Sequence, residues 1–170
     1  MGIRCHSDKL DFEWPTAREI VHYVRRGELL VLTQVRLKGT TSLEGIQLVF
    51  NNGALESPFF SSVDSVPHSP ESTQSDGYEN TYEVGGNGRT IRQIIVSVSR
   101  LVLITSLEMR YSDGEVAFSH CFDPSTTPSA TRFTQDIPDG HLLVGVYGRQ
   151  HCLDITSLGF ITMQRKQHQQ

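Results

Sequence analysis

Apolar residues alternate with polar or small ones in three separate segments of the chain, and the three segments share one plan. They are LTQVRLKGTTSLEGIQLVFNNG (32–53), IIVSVSRLVLITSLEMRYSDG (94–114) and LLVGVYGRQHCLDITSLGFIT (142–162). Each contains an alternating strand, a loop and a second alternating strand, and a period of two is typical of strands with one buried face. The pattern therefore predicts a threefold internal repeat of β-hairpins.

The second strands of the three segments align without gaps, as SLEGIQLVF, LITSLEMRY and DITSLGFIT. In a half-buried strand, every second side chain points to the core. The alignment therefore predicts two sets of equivalent core positions, namely Ile46, Leu107 and Leu158, and then Leu48, Met109 and Phe160.

A third strand is predicted in the first two repeats, after the turn signals Asn52-Gly53 and Asp113-Gly114. These third strands lie in ALESPFF (54–60) and EVAFSHCF (115–122). The third repeat has no such continuation, because it is followed by the polar tail MQRKQHQQ (163–170).

The N-terminal segment is the expected source of the strand that the third repeat lacks. A strand around Ile3 to Phe12 would close the domain on itself and remove an exposed sheet edge. Helix signals are confined to PTAREIVHYVRRG (15–27), which begins with a proline and ends with a glycine. The same residues also fit a strand, so we expect an all-β fold with at most one short helix.

Residues 61–88 are rich in Ser, Pro, Asp and Glu and poor in aliphatic residues, which predicts a long, acidic and mobile surface loop. Tyr78 and Tyr82 are the features of this loop that would suit a docking segment. The whole chain, 1–170, is then one domain with this loop and a polar tail.

The composition is that of an ordinary globular protein, with 37% hydrophobic residues in a chain of 170. A net charge of −4, and the absence of Lys and Arg between Lys38 and Arg89, argue against nucleic-acid binding. No apolar run reaches the roughly 20 residues that cross a bilayer, and the N-terminus lacks the apolar region of a secretory signal. With three cysteines, an odd number, we expect reduced thiols and a cytoplasmic protein.

Each cysteine is next to a histidine, in Cys5-His6, His120-Cys121 and His151-Cys152. Neighbouring residues on a strand point to opposite faces, and the spacing of a metal site is missing, so we expect no metal. A buried thiol beside an exposed imidazole is the expected arrangement. The chain also lacks a nucleophile elbow and a phosphate loop, and we expect neither a cofactor nor an enzymatic activity.

The closing segment HLLVGVYGRQHCLDITSLGFIT (141–162) resembles the closing hairpin of the jacalin-related lectins, and IRQIIVSV (91–98) and GIQLVFNNG (45–53) are similar to strands of that family. The resemblance implies the β-prism I fold, which has three four-stranded Greek-key sheets around a pseudo-threefold axis. It also implies that a sugar is held by a Gly-Gly turn near the N-terminus and by the Gly-x-x-x-Asp loop of the closing hairpin.

The chain departs from this sugar-binding motif at both loops. Thr156 stands where the family has its sugar-binding Asp, Asp154 lies two residues earlier, and Cys152 replaces the glycine. The N-terminus offers Gly2 without a second glycine.

Two candidate carbohydrate sites follow from the resemblance. The first combines Glu44, which is the Asp equivalent in the first repeat, with the glycines at Gly85 and Gly86 of the Gly85–Gly88 stretch. The second is a remodelled closing loop whose candidate residues are Gln150, His151, Asp154 and Thr156.

The sequence therefore leaves two functions open. The preferred one is a jacalin-like binding module that mediates protein contacts, including self-association, as a structural component of a larger assembly. The alternative is a lectin for mannose-type or galactose-type glycans with a variant site. Protein partners are expected in the first case and glycans in the second.

Overall fold

The computed structural model describes residues 10–16, 18–19, 30–61, 79–85 and 88–164. No helix among these residues is long and apolar enough to cross a bilayer. The described residues form strands joined by turns, as the sequence predicts. The strands are β1 (Leu10–Trp14), β2 (Leu32–Gly39), β3 (Leu43–Phe50), β4 (Leu55–Glu56), β5 (Phe60–Ser61), β6 (Glu79–Glu83), β7 (Ile91–Val98), β8 (Ile104–Tyr111), β9 (Val116–Cys121), β10 (Thr131–Asp136), β11 (His141–His151) and β12 (Asp154–Gln164).

The strands form three antiparallel sheets. Sheet A has the order β1-β11-β12, sheet B has the order β4-β3-β2-β6 with β5 also paired to β3, and sheet C has the order β10-β7-β8-β9. Each sheet is built on one hairpin of the repeat, namely β11–β12, β2–β3 or β7–β8. The predicted all-β prism with one sheet per repeat is thus confirmed.

The core lies between the sheets and contains the residues that the alignment of repeats selects. Ile46, Leu107, Leu48, Met109 and Phe160 are all buried, while Leu158 is partly buried and packs against the same cluster. The inner residues of each sheet thus supply one shared hydrophobic core.

The N-terminal strand closes sheet A, as predicted, by pairing along β11 from Leu10 opposite Gln150 to Trp14 opposite Val146. Its inward side chains join sheet B, since the ring of Phe12 stacks on Phe60 at 4.7 Å between centroids. Of the strand predicted around Ile3 to Phe12, the part before residue 10 lies outside the described residues. The helix or strand predicted for 15–27 also lies outside them, apart from residues 15–16 and 18–19.

The predicted loop at 61–88 contains a strand, so this prediction is wrong for Glu79–Glu83. This strand, β6, pairs with β2 from Lys38 opposite Glu79 to Gln34 opposite Glu83. The strand could not be recognised from the sequence because it lies at a sheet edge and most of its side chains are polar. Tyr82 is the single large apolar residue that β6 places against the core. The ring of Tyr82 stacks on Phe118 of sheet C at 4.7 Å. Residues 62–78, with Tyr78, lie outside the described residues.

The predicted third strand of the first repeat is interrupted between β4 and β5. The Ser57 hydroxyl accepts a hydrogen bond of 2.9 Å from the Leu48 N–H, and Pro58 has no N–H to continue the ladder. The third strand of the second repeat is present as β9. The polar tail begins later than predicted, because Met163 and Gln164 belong to β12 and Met163 packs against the core.

The sequence does not predict strand β10. Its first four residues, Thr131 to Thr134, are all exposed, so they lack the alternation of buried and exposed side chains that marks the other strands. It completes sheet C and links it to sheet A. The side-chain amide of Gln135 donates to the Phe160 carbonyl at 2.9 Å and accepts from the Phe160 N–H at 3.1 Å. This paired contact holds the two sheets side by side.

The His120-Cys121 pair has the opposite arrangement to the one expected. His120 lies opposite the buried Leu107 in the β8–β9 ladder, so its ring points inward and is hydrogen-bonded through Nδ1 to the Tyr82 hydroxyl. Cys121 consequently points outward and is an exposed free thiol.

Candidate functional site

The β2–β3 turn (40–42) and the β11–β12 turn (152–153) meet at one end of the prism. The Ser42 hydroxyl donates a hydrogen bond of 2.5 Å to Oδ1 of Asp154. The β7–β8 turn (99–103) lies at the same end, since Val102 and Thr156 line one groove. We call this region, with its three turns, the hairpin end.

Gly39 allows the tight β2–β3 turn that presents Ser42. A Cβ atom at this position would lie 2.0 Å from the Ser42 carbonyl oxygen and 2.9 Å from the Phe122 ring. Both distances are too short for any side chain, so glycine is required by close approach rather than by its backbone angles. After this turn, Glu44 is the second residue of β3.

The carboxylate of Glu44 lies close to that of Asp154. Burial raises the pKa of Glu44 above its ordinary value, the negative charge of Asp154 raises it further, and Lys38 opposes both effects. The hairpin end thus holds two interacting carboxylates, one of which is hydrogen-bonded to a serine. Groups of three or more His, Cys, Asp or Glu side chains suited to a metal ion are absent from the described residues.

Cys152 forms the turn that leads into Asp154. Its φ of +58° lies in the left-handed region that favours glycine, so the replacement of the family's glycine has not removed a glycine-like conformation. The expectation that all thiols are reduced is wrong here, because Cys152 is disulfide-bonded.

Thr156 lies at an irregularity of β12. The pairing shifts between Arg149 opposite Ser157 and Gln150 opposite Ile155, so Thr156 is the extra residue and its hydroxyl donates to the Arg149 carbonyl at 3.3 Å. Such a bulge redirects a side chain. Asp154 and Thr156 therefore flank Ile155, whose side chain is buried.

Gln150 and His151 lie on β11 beside Asp154. His151 is the last partner of Asp154 in the β11–β12 ladder and is half-buried. The side-chain nitrogen of Gln150, Nε2, is buried and has no hydrogen-bond partner among the described residues. An unpaired buried donor is costly, and an approaching acceptor oxygen would satisfy it.

The structure does not bring Glu44 and Gly85 together, so the first candidate site is wrong as a combination. The Gly85 N–H donates to Thr33 at the start of β2, whereas Glu44 follows the turn at the other end of that strand. From Thr33 to Lys38 the strand advances about 17 Å. Gly86 lies outside the described residues. Glu44 belongs instead with the closing-loop residues of the second candidate site.

Sequence reasoning did not select Ser42 as a site residue, although a signal was present. Ser42 and Asp154 are the first residues of the aligned strands SLEGIQLVF and DITSLGFIT. Equivalent positions of a repeat around a common axis lie at the same end of the molecule. Their contact could therefore have been expected from the alignment.

The three sheets and the hairpin end define a β-prism of the jacalin-like kind. The chain is similar to a prostate-specific WGA16 glycoprotein lectin, with a TM-score of 0.61 and 15% identity over 98% of this chain and 97% of that one. It is also similar to artocarpin in its mannotriose complex, with a TM-score of 0.54 and 14% identity over 93% and 98% of the two chains. A mannose-binding lectin from champedak matches with a TM-score of 0.54 and 14% identity over 95% and 99%.

These likenesses establish the fold that the closing hairpin predicted. No family model matches the chain, and no curated protein matches it. The jacalin-like fold therefore rests on structure, and the function has to be argued from the residues at the hairpin end.

Proposed function

We propose that the protein binds carbohydrate without catalysing a reaction, and that Asp154 at the hairpin end is the carboxylate that holds the sugar. The similar solved structures support this proposal, because they are lectins and two of them are described with mannose or a mannose oligosaccharide. The function is thus the alternative that the sequence left open.

The observation that carries the proposal is the hydrogen bond between Ser42 and Asp154. It restrains a half-buried carboxylate at the rim of the prism and uses part of its capacity to accept hydrogen bonds. Sugar hydroxyls donate to carboxylates in charge-assisted bonds, which are about twice as strong as neutral ones. A restrained acceptor loses less conformational entropy when a ligand binds.

Neutral sugars are the class of ligand that fits the charges. Burial raises the pKa of Glu44 and the negative charge of Asp154 raises it further, so the free site contains two carboxylates that disfavour each other. Hydroxyl groups placed between them donate to both and relieve this repulsion. A sialylated or sulphated sugar would add a third negative charge and is expected to bind poorly.

The hypothesis of a structural component in an assembly has less support. It was favoured by the departure of the closing loop from the family motif, in particular by Thr156. The structure provides a carboxylate at that loop all the same, held by a partner from a different hairpin. Glycan binding is therefore preferred, and protein contacts stay a prediction.

An array of neutral and sialylated glycans with terminal mannose or galactose tests the proposal. The wild-type protein is expected to bind neutral glycans, and Asp154→Asn is expected to reduce the affinity about 10- to 100-fold. Asp136→Asn, at an exposed carboxylate on β10, is the matched control and should bind like the wild type. Failure of the wild-type protein to bind any glycan would overturn the proposal.

A further inference from the structure

Two of the three sheets have a strand on each side of their hairpin. In sheet B, β6 pairs with β2 and β5 pairs with β3. In sheet C, β10 pairs with β7 and β9 pairs with β8. In sheet A, β1 pairs with β11, but no strand among the described residues pairs with the outer edge of β12. The internal repeat therefore defines one position of the prism at which a strand is missing.

Leu158 is the residue of β12 at which the missing contact is clearest. In the alignment of repeats it is equivalent to Ile46 and Leu107. Ile46 lies opposite Phe60 of β5, and Leu107 lies opposite His120 of β9. On the corresponding side of Leu158, the described part of the chain provides no strand. A third strand of sheet A would therefore pair with Leu158.

The side-chain amide of Gln135 occupies the next position along the same edge. It donates to the Phe160 carbonyl and accepts from the Phe160 N–H, so both backbone groups of Phe160 point away from β11. Residues two apart on a strand direct these groups to the same side, so the N–H and C=O of Leu158 also point outward. They have no hydrogen-bond partner among the residues that the structure describes. The edge thus accepts an amide at Phe160 and offers an open donor and acceptor at Leu158.

A groove of about 370 Å³ follows this edge between β12 and β10. Its lining includes β12 from Thr156 to Phe160, the exposed ring of Phe133 on β10, and core side chains such as Ile94. None of the described residues that line it carries a charge. An open strand edge is a template for another strand, and the Lys or Pro residues that often protect such an edge are absent from this part of β12. The groove therefore suits an uncharged, extended peptide.

Residues 1–9 of the same chain are a poor source for this strand because of their number. In sheet C, nine residues (122–130) connect β9 to β10. Strand β1 has the position in sheet A that β10 has in sheet C, so a connection of the same length before β1 would use residues 1–9 in full. A second copy is also a poor source, because its own β12 is flanked by β10. A separate extended peptide is the better fit.

We propose that the groove binds an extended peptide segment of another protein, which adds to β12 as an antiparallel strand and completes sheet A. The N–H and C=O of one peptide residue pair with those of Leu158. The side chain of that residue points into the groove, as the rings of Phe60 and His120 point inward at the equivalent positions, so we expect it to be aromatic. This inference does not rest on the proposed function, because it uses no group of the Asp154 carboxylate.

An NMR titration of the labelled protein with capped pentapeptides tests the inference. The probes are acetyl-Ser-Thr-X-Thr-Ser-amide, in which X is Phe, Tyr, His or Val, and the best of them is expected to shift the amide signals of residues 156–160. N-methylation of X removes its hydrogen bond to the Leu158 carbonyl and should weaken the affinity about tenfold. N-methylation of the preceding Thr, whose N–H points away from β12, is the matched control and should have a much smaller effect.

Hydrogen exchange at two amides of β12 gives a readout that is specific to this edge. In the free protein, the Leu158 N–H is expected to exchange rapidly, whereas the Phe160 N–H is protected by its bond to Gln135. The peptide should slow the exchange of Leu158 and leave that of Phe160 largely as it was.

Phe133→Ala removes one apolar wall of the groove and should weaken peptide binding several-fold. Val116→Ala, at an exposed apolar residue on β9 outside the groove, is the control. Glycan binding by both variants should equal that of the wild-type protein.

Three results would overturn the inference. A Leu158 N–H that is already protected in the free protein would show that the chain itself covers this edge. The absence of binding to all four probes, or an equal loss of affinity with both methylated peptides, would exclude strand addition and leave glycan binding at Asp154 unaffected. A wild-type dimer that becomes monomeric in Phe133→Ala would assign the groove to a second copy of the chain.

Discussion

The Ser42 hydroxyl is hydrogen-bonded to the Asp154 carboxylate at 2.5 Å, although 112 residues separate them in the chain. Ser42 is the last residue of the β2–β3 turn and Asp154 is the first residue of β12, so this contact joins sheets A and B where their turns meet. The same contact restrains the side chain that we propose as the sugar-binding carboxylate. We therefore expect stability and glycan binding to be linked at this point.

Ser42→Ala is expected to lower the free energy of unfolding by about 1 kcal/mol, because a partly buried hydrogen bond to a carboxylate is lost. Urea denaturation measures the change. Ser119→Ala, at an exposed serine on β9, should alter stability much less. Equal stability of the Ser42→Ala variant and the wild-type protein would show that the contact is not formed in solution.

Glu44→Gln is expected to stabilise the protein at neutral pH by less than about 1 kcal/mol, since the group is partly exposed to solvent. The folded state raises the pKa of Glu44 above 4.5, so ionisation costs stability above the raised pKa and the cost disappears as the pH falls below 4.5. Denaturation of both proteins over this pH range should show the stability difference vanishing in acid. Glu79→Gln, at an exposed position of β6, is the control, and a Glu44→Gln variant that is less stable at neutral pH would contradict the prediction.

His120 is expected to make the wild-type protein less stable below pH 6.5. Burial lowers the pKa of His120 in the folded state, so the unfolded chain takes up a proton at a higher pH than the folded chain does. Stability is thus complete above 6.5 and is lost as the pH falls through the lowered pKa. Replacement by Gln should flatten this dependence in thermal unfolding, whereas His141→Gln should not; an unchanged slope in His120→Gln would refute the assignment.

Gly39→Ala is expected to destabilise the fold by about 1–3 kcal/mol and to weaken glycan binding. The added methyl group meets the Ser42 carbonyl oxygen, so the turn that carries Ser42 and Glu44 has to move. Gly114→Ala is a useful comparison, because that site has a φ of +86° but no atom near the new Cβ. Backbone strain of about 1 kcal/mol and intact glycan binding are expected there. If Gly39→Ala bound glycans as tightly as the wild-type protein, the β2–β3 turn would not be part of the binding site.

The inner strands could be predicted from the sequence because their side chains alternate between the core and the outside. Ile46 and Leu107 are fully buried for this reason. The edge strands β6 and β10 could not be predicted in this way. Most of their side chains face solvent, so apolar residues do not recur at every second position. Their pairing depends on the backbone of β2 and β7, which has no signature in the side-chain pattern.

The members of the candidate site were partly predictable, but their grouping was not. Asp154 and Glu44 were recognised as carboxylates of equivalent loops, yet Glu44 was grouped with Gly85, at the other end of β2. Which turns meet is decided by how separate hairpins pack around the core. The bulge at Thr156 likewise depends on pairing with β11 and not on local sequence.

An NMR titration of the isotopically labelled protein with the best-binding neutral monosaccharide of the array tests the central claim most directly. If sugar is held at the hairpin end, the backbone amide signals of residues 40–44 and 150–156 are expected to shift, and those shifts should be lost in Asp154→Asn. Shifts confined to other residues, or unchanged in Asp154→Asn, would contradict the assignment of Asp154 as the sugar-binding carboxylate.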